Sequence, residues 1–252
     1  MILKAKVVAG DRNPTPTSNP NLSFIQTDVT SWSDLRSLFK EAKQRHGRID
    51  HVFSNAGISG RADYLSSSFD ADGEIEEPTS LTYEIDLKGM INTSYLGLHH
   101  FQNQVPPGGS IVCTASAAAF QRFRVCDYTS AKHGVLGWMR GIVPNIETQG
   151  LPIRVNAISP SWTLTGLVPS GLEKMMPDVD WQGPDVVARS VALLMADPKR
   201  QGQLIYSWGG KFKEVEESTL LPPVVEFVGE NDEDKVIAKL HKTLQGQKVG
   251  YS

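Results

Sequence analysis

The chain has 252 residues, enough for one α/β domain or at most two small ones. Hydrophobic residues make up 40% and charged residues 21%, the balance of a soluble globular protein with a sizeable core, and a net charge of −3 leaves no electrostatic footprint for nucleic acid or anionic lipid. Cys113 and Cys126 make no disulfide framework, no apolar run approaches the ~18 residues of a membrane span, and MILKAKVV is broken by Lys4 and Lys6 where a secretion signal needs a long apolar stretch, so a cytoplasmic, reducing setting is expected.

Strands and helices alternate along the chain. AKVVAG (5–10) reads as a strand ending at Asp11, and LSFIQTDV (22–29) as a second, separated by a cluster rich in Pro, Thr, Ser and Asn over 13–21. Ser33 and Asp34 are placed to cap a helix whose Leu35, Leu38, Phe39 and Ala42 recur at helical spacing. IDHVFSNAG (49–57) is a strand running into a turn, followed by a polar loop over 58–78 and a helix from about Ser80 to Gln104. GSIVCTAS (109–116) is a strand, YTSAKHGVLGWMRGIV a helix and PIRVNAIS a strand. Residues 160–183 are irregular, PDVVARSVALLMAD is a helix, and GQLIYSW is the last strand. Short apolar strands alternating with helices predict an α/β fold with a parallel sheet covered on both faces. Residues 1–210 form the main domain and 211–252 a C-terminal extension, in which Val236, Ile237 and Leu240 share a helical face suited to packing on the body or on a partner subunit.

The sharpest chemical signal is YTSAK. Tyr128 and Lys132 are four apart on a predicted helix and so share a face. A phenol titrates near ~10, too high for a base at neutral pH, and a nearby ammonium favours the phenolate. Tyr-x-x-x-Lys alone also fits a half-buried tyrosine beside a surface lysine. Ser116, however, ends the preceding strand with a hydroxyl able to meet a carbonyl or alcohol oxygen. Asn55-Ala56-Gly57 ends another strand, Pro160 a third and Asp28-Val29-Thr30 a fourth. In a parallel sheet these ends share one edge, where ligands bind.

With these motifs, and with GQLIYSWGG at the far end, residues 4–210 resemble the short-chain dehydrogenase/reductase family and its Rossmann-like doubly wound sheet. DLKGMINTSYLGLHHF and YTSAKHGVLGWMRG resemble its fungal hydroxyprostaglandin-dehydrogenase-like members, which suggests secondary-metabolite biosynthesis. The resemblance implies an NAD- or NADP-dependent enzyme that interconverts a secondary alcohol and a ketone on a mid-sized apolar small molecule, often as a dimer or tetramer through the helices after Ser80 and Tyr128. Tyr128 is implied as the general acid/base, Lys132 as its pKa-lowering partner and ribose ligand, and Ser116 as the group orienting the substrate oxygen. Asp28 and Val29 would hold the adenine, Asn55, Ala56 and Gly57 would line the cofactor path, and Thr163 and Thr165 would reach the carboxamide or phosphates. Asp11 would accept from the adenosine ribose and favour NAD over NADP, softened by Arg12; its other reading is a turn aspartate.

Three departures from the family pattern stand out. Asp86, counted with the catalytic residues, occupies a position the family usually gives to asparagine in a proton relay to the lysine; aspartate keeps the shape and could serve through its main-chain carbonyl, while its charge could pair with Lys132 and blunt the lysine's effect on Tyr128. Ser161 stands where glycine usually follows the proline. The third concerns the family's opening strand, glycine-rich turn and first helix, which bring a pyrophosphate to a helix N-terminus. The sequence has no counterpart before Asp11, and TGLVPSG (165–171) has the wrong spacing. Since that strand is central in the order 3-2-1-4-5-6-7, either the 5–10 strand moves into its slot or the natural start lies upstream. This gap motivates two alternatives: a redox-neutral isomerase, dehydratase or cyclase, and an inactive truncated homologue. His99 and His100 lack metal-ligand spacing, so no metal is expected. Trp162, Leu164, Leu167, Met175, Met176 and Trp181 read as core or as a lid over an apolar substrate, with Phe120 and Phe123 as the opposite wall.

Overall fold

The computed structural model describes residues 5–14 and 17–228, with 236–237, 239–240 and 243 beyond them. In chain order the first elements are β1 (Val7–Asp11), β2 (Leu22–Gln26), α1 (Trp32–His46) and β3 (His51–Ser54). Next come α2 (Leu81–Tyr83), a π-helical turn (Glu84–Gly89), α3 (Met90–Gln102), β4 (Gly109–Thr114) and a short 3-10 turn (Ala117–Ala119). Then follow α4 (Cys126–Thr148), β5 (Ile153–Pro160), α5 (Leu172–Met175), α6 (Pro184–Ala196), β6 (Leu204–Trp208), β7 (Lys211–Glu214), a second π turn (Glu216–Leu220) and α7 (Leu221–Val228).

The centre of the fold is the pair β4 and β5, whose near-continuous apolar runs are buried on both faces, as a parallel sheet covered by helices requires. Their side chains alternate. Ile111, Cys113, Val155 and Ala157 join the larger core with Leu35, Phe39, Phe101, Val135 and Met139 from α1, α3 and α4. Val112 and Ile158 turn to the other face and pack with Val191 and Leu194 of α6 and with Ile205 of β6. A one-residue slip of either strand would exchange these two sets, so the register is strongly specified.

β3, β4, β5 and β6 run parallel in one sheet, and β1 and β2 form a separate parallel pair. The alternative of β1 closing up against the main sheet is not realised: β1 keeps β2 as its neighbour and makes no ladder with β3. Between the facing edges of β1 and β3 lies a cleft of about 1170 Å³, lined by Val7, Ala9, Phe53 and Met90 among others. Val7 and Phe53 are exposed there, although their alternation pattern is that of a buried strand.

Four boundaries differ from the sequence pattern. Helix α1 is capped two residues earlier than Ser33, by Ser31, whose hydroxyl accepts from the Asp34 N–H. The helix predicted from Ser80 begins at Leu81 and holds a π turn over Glu84–Gly89. The sheet does not end at β6. Gly209 and Gly210, at φ 49° and 83°, supply the two left-handed residues of a tight hairpin that adds β7 antiparallel to β6. The Gly-Gly pair in the sequence is the signal for it. Val236, Ile237 and Leu240 are exposed rather than packed on the body; residues 229–235 and 238 lie outside the described residues.

Leu194 is fully buried between α6 and the sheet. Leu194→Ala is expected to cost about 2–5 kcal/mol in urea unfolding, whereas Leu65→Ala, at a fully exposed position, should change stability by less than about 0.5 kcal/mol.

Candidate active site

Three chain segments meet at the C-terminal edge of β4. The strand delivers Thr114 and Ser116, the helix α4 begins ten residues later with Tyr128 in its first turn and Lys132 one turn on, and the π turn before α3 brings in Asp86. A π turn adds a residue to the helix and shifts the side chains that follow, a local irregularity concentrated at functional sites.

Lys132 is 2% exposed. Its Nζ donates to the backbone carbonyl of Thr114 at 3.1 Å and lies 3.2 Å from Asp86 Oδ2, with both side chains out of solvent. It sits 5.5 Å from the centroid of the Tyr128 ring, within the range at which a cation is held by an aromatic ring and stabilises a phenolate on it. Asp86 Oδ1 accepts from the Ile58 N–H at 2.8 Å, while Oδ2 meets the ammonium as an ion pair rather than as a directed hydrogen bond. Burial pushes the Asp86 carboxyl above its ordinary range; Lys132 and the Ile58 N–H pull in the opposite direction without cancelling it.

Gly57 makes this pair possible. A Cβ at that position would stand 3.1 Å from Asp86 Oδ2 and 3.4 Å from Lys132 Nζ, close enough to press on the carboxylate. The loop carrying Gly57 is fastened to the sheet by the Thr114 hydroxyl, which donates to Asn55 Oδ1 at 3.1 Å. Ser116 is half-buried, in extended backbone, and its hydroxyl accepts from the Ala118 N–H at 3.2 Å, an N-cap that fixes the start of the 3-10 turn packed on α4. Tyr128 is half-buried.

Asp127 is a structural residue of this site that the sequence reading did not single out. It is fully buried beside Tyr128. Oδ2 accepts from the N–H groups of Arg61 and Ala62, at 2.7 and 3.1 Å, and from the Thr82 hydroxyl at 2.6 Å. Oδ1 accepts from the Tyr128 N–H at 2.8 Å. Burial raises the carboxyl's pKa, but these hydrogen bonds outweigh it and hold the group below the usual carboxylate range. One side chain thereby ties the loop after β3, the start of α2 and the first turn of α4 together. Its only trace in the sequence is an acidic residue at a helix start, a weak signal.

The remaining candidate residues divide into two groups. Asp11, Val29, Asn55 and Ala56 line the cleft between β1 and β3. The exposed Asp11 also takes the turn role, accepting from the Asn13 N–H at 2.8 Å. Asp28 is turned inward on its own loop: Oδ1 accepts from the Thr30 hydroxyl and N–H, and Arg12 lies 3.8 Å from Oδ2. The two Thr30 hydrogen bonds, helped by Arg12, lower its pKa. Arg12 thus leans on Asp28. Thr163 donates to the Ser161 carbonyl and accepts from Gln182, which also reaches Ser207, so the loop after β5 is tied to β6. Thr165 is exposed.

Phe123, in the segment before α4, and Trp162 and Trp181, in the stretch after β5, form an aromatic file. Phe123 and Trp162 have ring centroids 6.1 Å apart, and Trp162 and Trp181 5.5 Å. Leu164, Leu167, Met175 and Met176 are exposed around it. Phe120 does not form the opposite wall: it packs edge-on against Tyr206 at 5.6 Å and joins the core.

The family model for short chain dehydrogenase matches residues 5–175. The chain is 45% identical over 250 residues to the short-chain dehydrogenase/reductase ascJ of Acremonium egyptiacum, covering 96% of this chain and 84% of the relative. It is 34% identical over 206 residues to prx7 of Penicillium rubens, covering 79% and 72%. In structure it is similar to a 3-ketoacyl-(acyl-carrier-protein) reductase from Brucella melitensis complexed with NADH, at TM-score 0.69 and 20% identity over 82% of this chain and 87% of that one. It is also similar to carveol dehydrogenase from Mycobacterium avium in complex with NAD, at TM-score 0.64 and 22% identity over 80% and 86%. The chain belongs to the short-chain dehydrogenase/reductase family and is an NAD(P)-dependent oxidoreductase by class.

The Asp127 geometry carries a pH-dependent consequence. A carboxyl whose pKa is lowered by folding contributes stability above its unfolded value of about 3.9, and that contribution is lost as pH falls through the folded value. Asp127→Asn should therefore cost about 1–3 kcal/mol in urea unfolding at neutral pH, and its gap from the wild type should narrow as the pH falls below about 4.

Proposed function

We propose that this chain interconverts a secondary alcohol and a ketone on a mid-sized, largely apolar small molecule, with Ser116, Tyr128 and Lys132 as the reacting set. The observation that carries the reading is the buried Lys132 ammonium 5.5 Å from the Tyr128 ring, at the strand edge that also bears Ser116. The residues lining the cleft fit the nucleoside ends of NAD(P): a carboxylate at Asp11 for ribose hydroxyls, and small or polar groups at Val29, Asn55 and Ala56. When bound there, NAD(P) supplies or accepts the hydride.

The chain's own residues handle the proton and the geometry. In the oxidative direction Tyr128, as phenolate, takes the hydroxyl proton while the carbinol C–H bond gives up its electron pair; in reduction the phenol returns that proton to the alkoxide oxygen. Lys132 stabilises the phenolate and Ser116 holds the substrate oxygen. The aromatic file of Phe123, Trp162 and Trp181, with the exposed Leu and Met side chains beside it, suits an apolar body and excludes water over it. Asp11 favours NAD, and Arg12 beside it can soften its repulsion of a 2′-phosphate, which keeps NADP open. A role in fungal secondary metabolism, a cytoplasmic location and assembly through the helices after Ser80 and Tyr128 belong to the same reading, and relatives of the chain come from the fungi Acremonium egyptiacum and Penicillium rubens.

The specific observation behind a second, redox-neutral reading is the separation of the β1–β2 pair from the main sheet, which leaves the cofactor side of the site divided. Titrating the purified chain with NADH and NADPH separates the two: micromolar or tighter binding of either supports hydride transfer, and conversion of substrate without either supports the rival. With a panel of apolar ketones, Tyr128→Phe should lose on the order of 10²–10⁴ in nicotinamide-linked turnover while keeping its nucleotide affinity. Full turnover in that variant would exclude the mechanism.

A further inference from the structure

We infer that Asp86 is the built-in counter-ion of Lys132, keeping the lysine an ammonium, and so keeping Tyr128 beside a cation, in the protein by itself before any nucleotide binds. The inference rests on the proposed role of Tyr128 and Lys132 and adds a positioning residue to it.

Lys132 is 2% exposed, so little water remains to solvate its charge. A buried ammonium without a partner sheds its proton rather than stay charged. Among the described residues, Nζ has two polar partners beside the Tyr128 ring: the neutral Thr114 carbonyl and the Asp86 carboxylate, 3.2 Å away and itself 1% exposed. Three features of the fold converge on that carboxylate. The π turn places it, the Ile58 N–H holds Oδ1, and the missing side chain of Gly57 gives Oδ2 its room.

The other charged and titratable groups around the pair do not replace Asp86. Glu84 and Lys88, on its own element, pair with each other at the exposed surface. Asp127, on α4, is committed to four hydrogen-bond donors. Cys113, on β4, is fully buried, and that burial pushes its thiol up to about 12, so it stays neutral. Tyr128 is the group the ammonium serves. Replacing the carboxylate with a neutral amide of the same shape removes one charge and leaves the backbone contacts of the site in place.

The test reads the lysine directly and needs no turnover. The full-length chain is labelled with ¹⁵N-lysine, the Lys132 Nζ signal is identified by its disappearance in Lys132→Arg, and its titration is followed in the wild type and in Asp86→Asn without nucleotide. The Lys132 midpoint should fall by about one unit or more in Asp86→Asn. Asp86→Ser, smaller and also neutral, provides the same reading should the asparagine variant fold poorly, and it should move in the same direction. An unchanged or raised midpoint in a folded neutral variant overturns the inference. A lowered midpoint together with full turnover in Tyr128→Phe would uphold the ion pair and overturn the catalytic reading, so the two failures are distinguishable.

Discussion

The site depends on how a single positive charge is kept inside the protein. Lys132 projects from the second turn of α4 into a region closed by β4, the loop after β3 and the π turn before α3. A charge so placed is tolerable only with an opposite charge and a hydrogen-bond acceptor at hand, and here these come from two different elements. Displacing any of the three elements would strand the ammonium. The same contacts that make Lys132 chemically useful therefore fix the relative positions of the segments that carry Ser116, Tyr128 and Asn55.

A second buried charge, one residue before Tyr128, does for the loop what Lys132 does for the sheet edge. Asp127 gathers two backbone N–H groups from residues 61 and 62 and a hydroxyl from α2, while a third N–H, that of Tyr128, closes the arrangement. Burial opposes its charge, and donors in sufficient number overcome that penalty. The long polar segment over 58–78 thus has a fixed root at the site although much of it is exposed. On the substrate side the constraint is of another kind. Gln182 bridges Thr163 and Ser207 and so holds the loop after β5, which carries Trp162 against Trp181.

The nucleotide side contrasts with this. β1 carries Asp11 and is firmly paired with β2, but the pair stands apart from β3 across a wide cleft. The half of the site proposed to move protons is thereby tied together by hydrogen bonds and an ion pair, while the half proposed to recognise a nucleotide is spread over two facing strand edges. Asp28 shows the difference at the level of one residue. The resemblance gives it an adenine contact; Oδ1 of its carboxylate accepts from Thr30, and Arg12 lies 3.8 Å from Oδ2.

The sequence by itself determined the order of strands and helices, the two-faced burial of β4 and β5, and the family, because all of these are written as periodicity and as short motifs at strand ends. Tyr128 and Lys132 were legible for the same reason: four residues on a helix fix a shared face. Four things were decided only by tertiary structure. Asp86 sits on a π turn, a change of helical pitch that no local pattern marks, and its partnership with Lys132 spans 46 positions in the chain. Asp127 earns its role from donors that lie 45 to 66 residues away. Phe120 and Phe123, three apart and chemically alike, part company because one packs on Tyr206 against the core and the other on Trp162 of the stretch after β5. The position of β1 depends on which strand edges find a hydrogen-bonding partner. Local sequence sets what a segment becomes, whereas burial of a charge, a ring or a strand edge depends on what the rest of the chain brings to it.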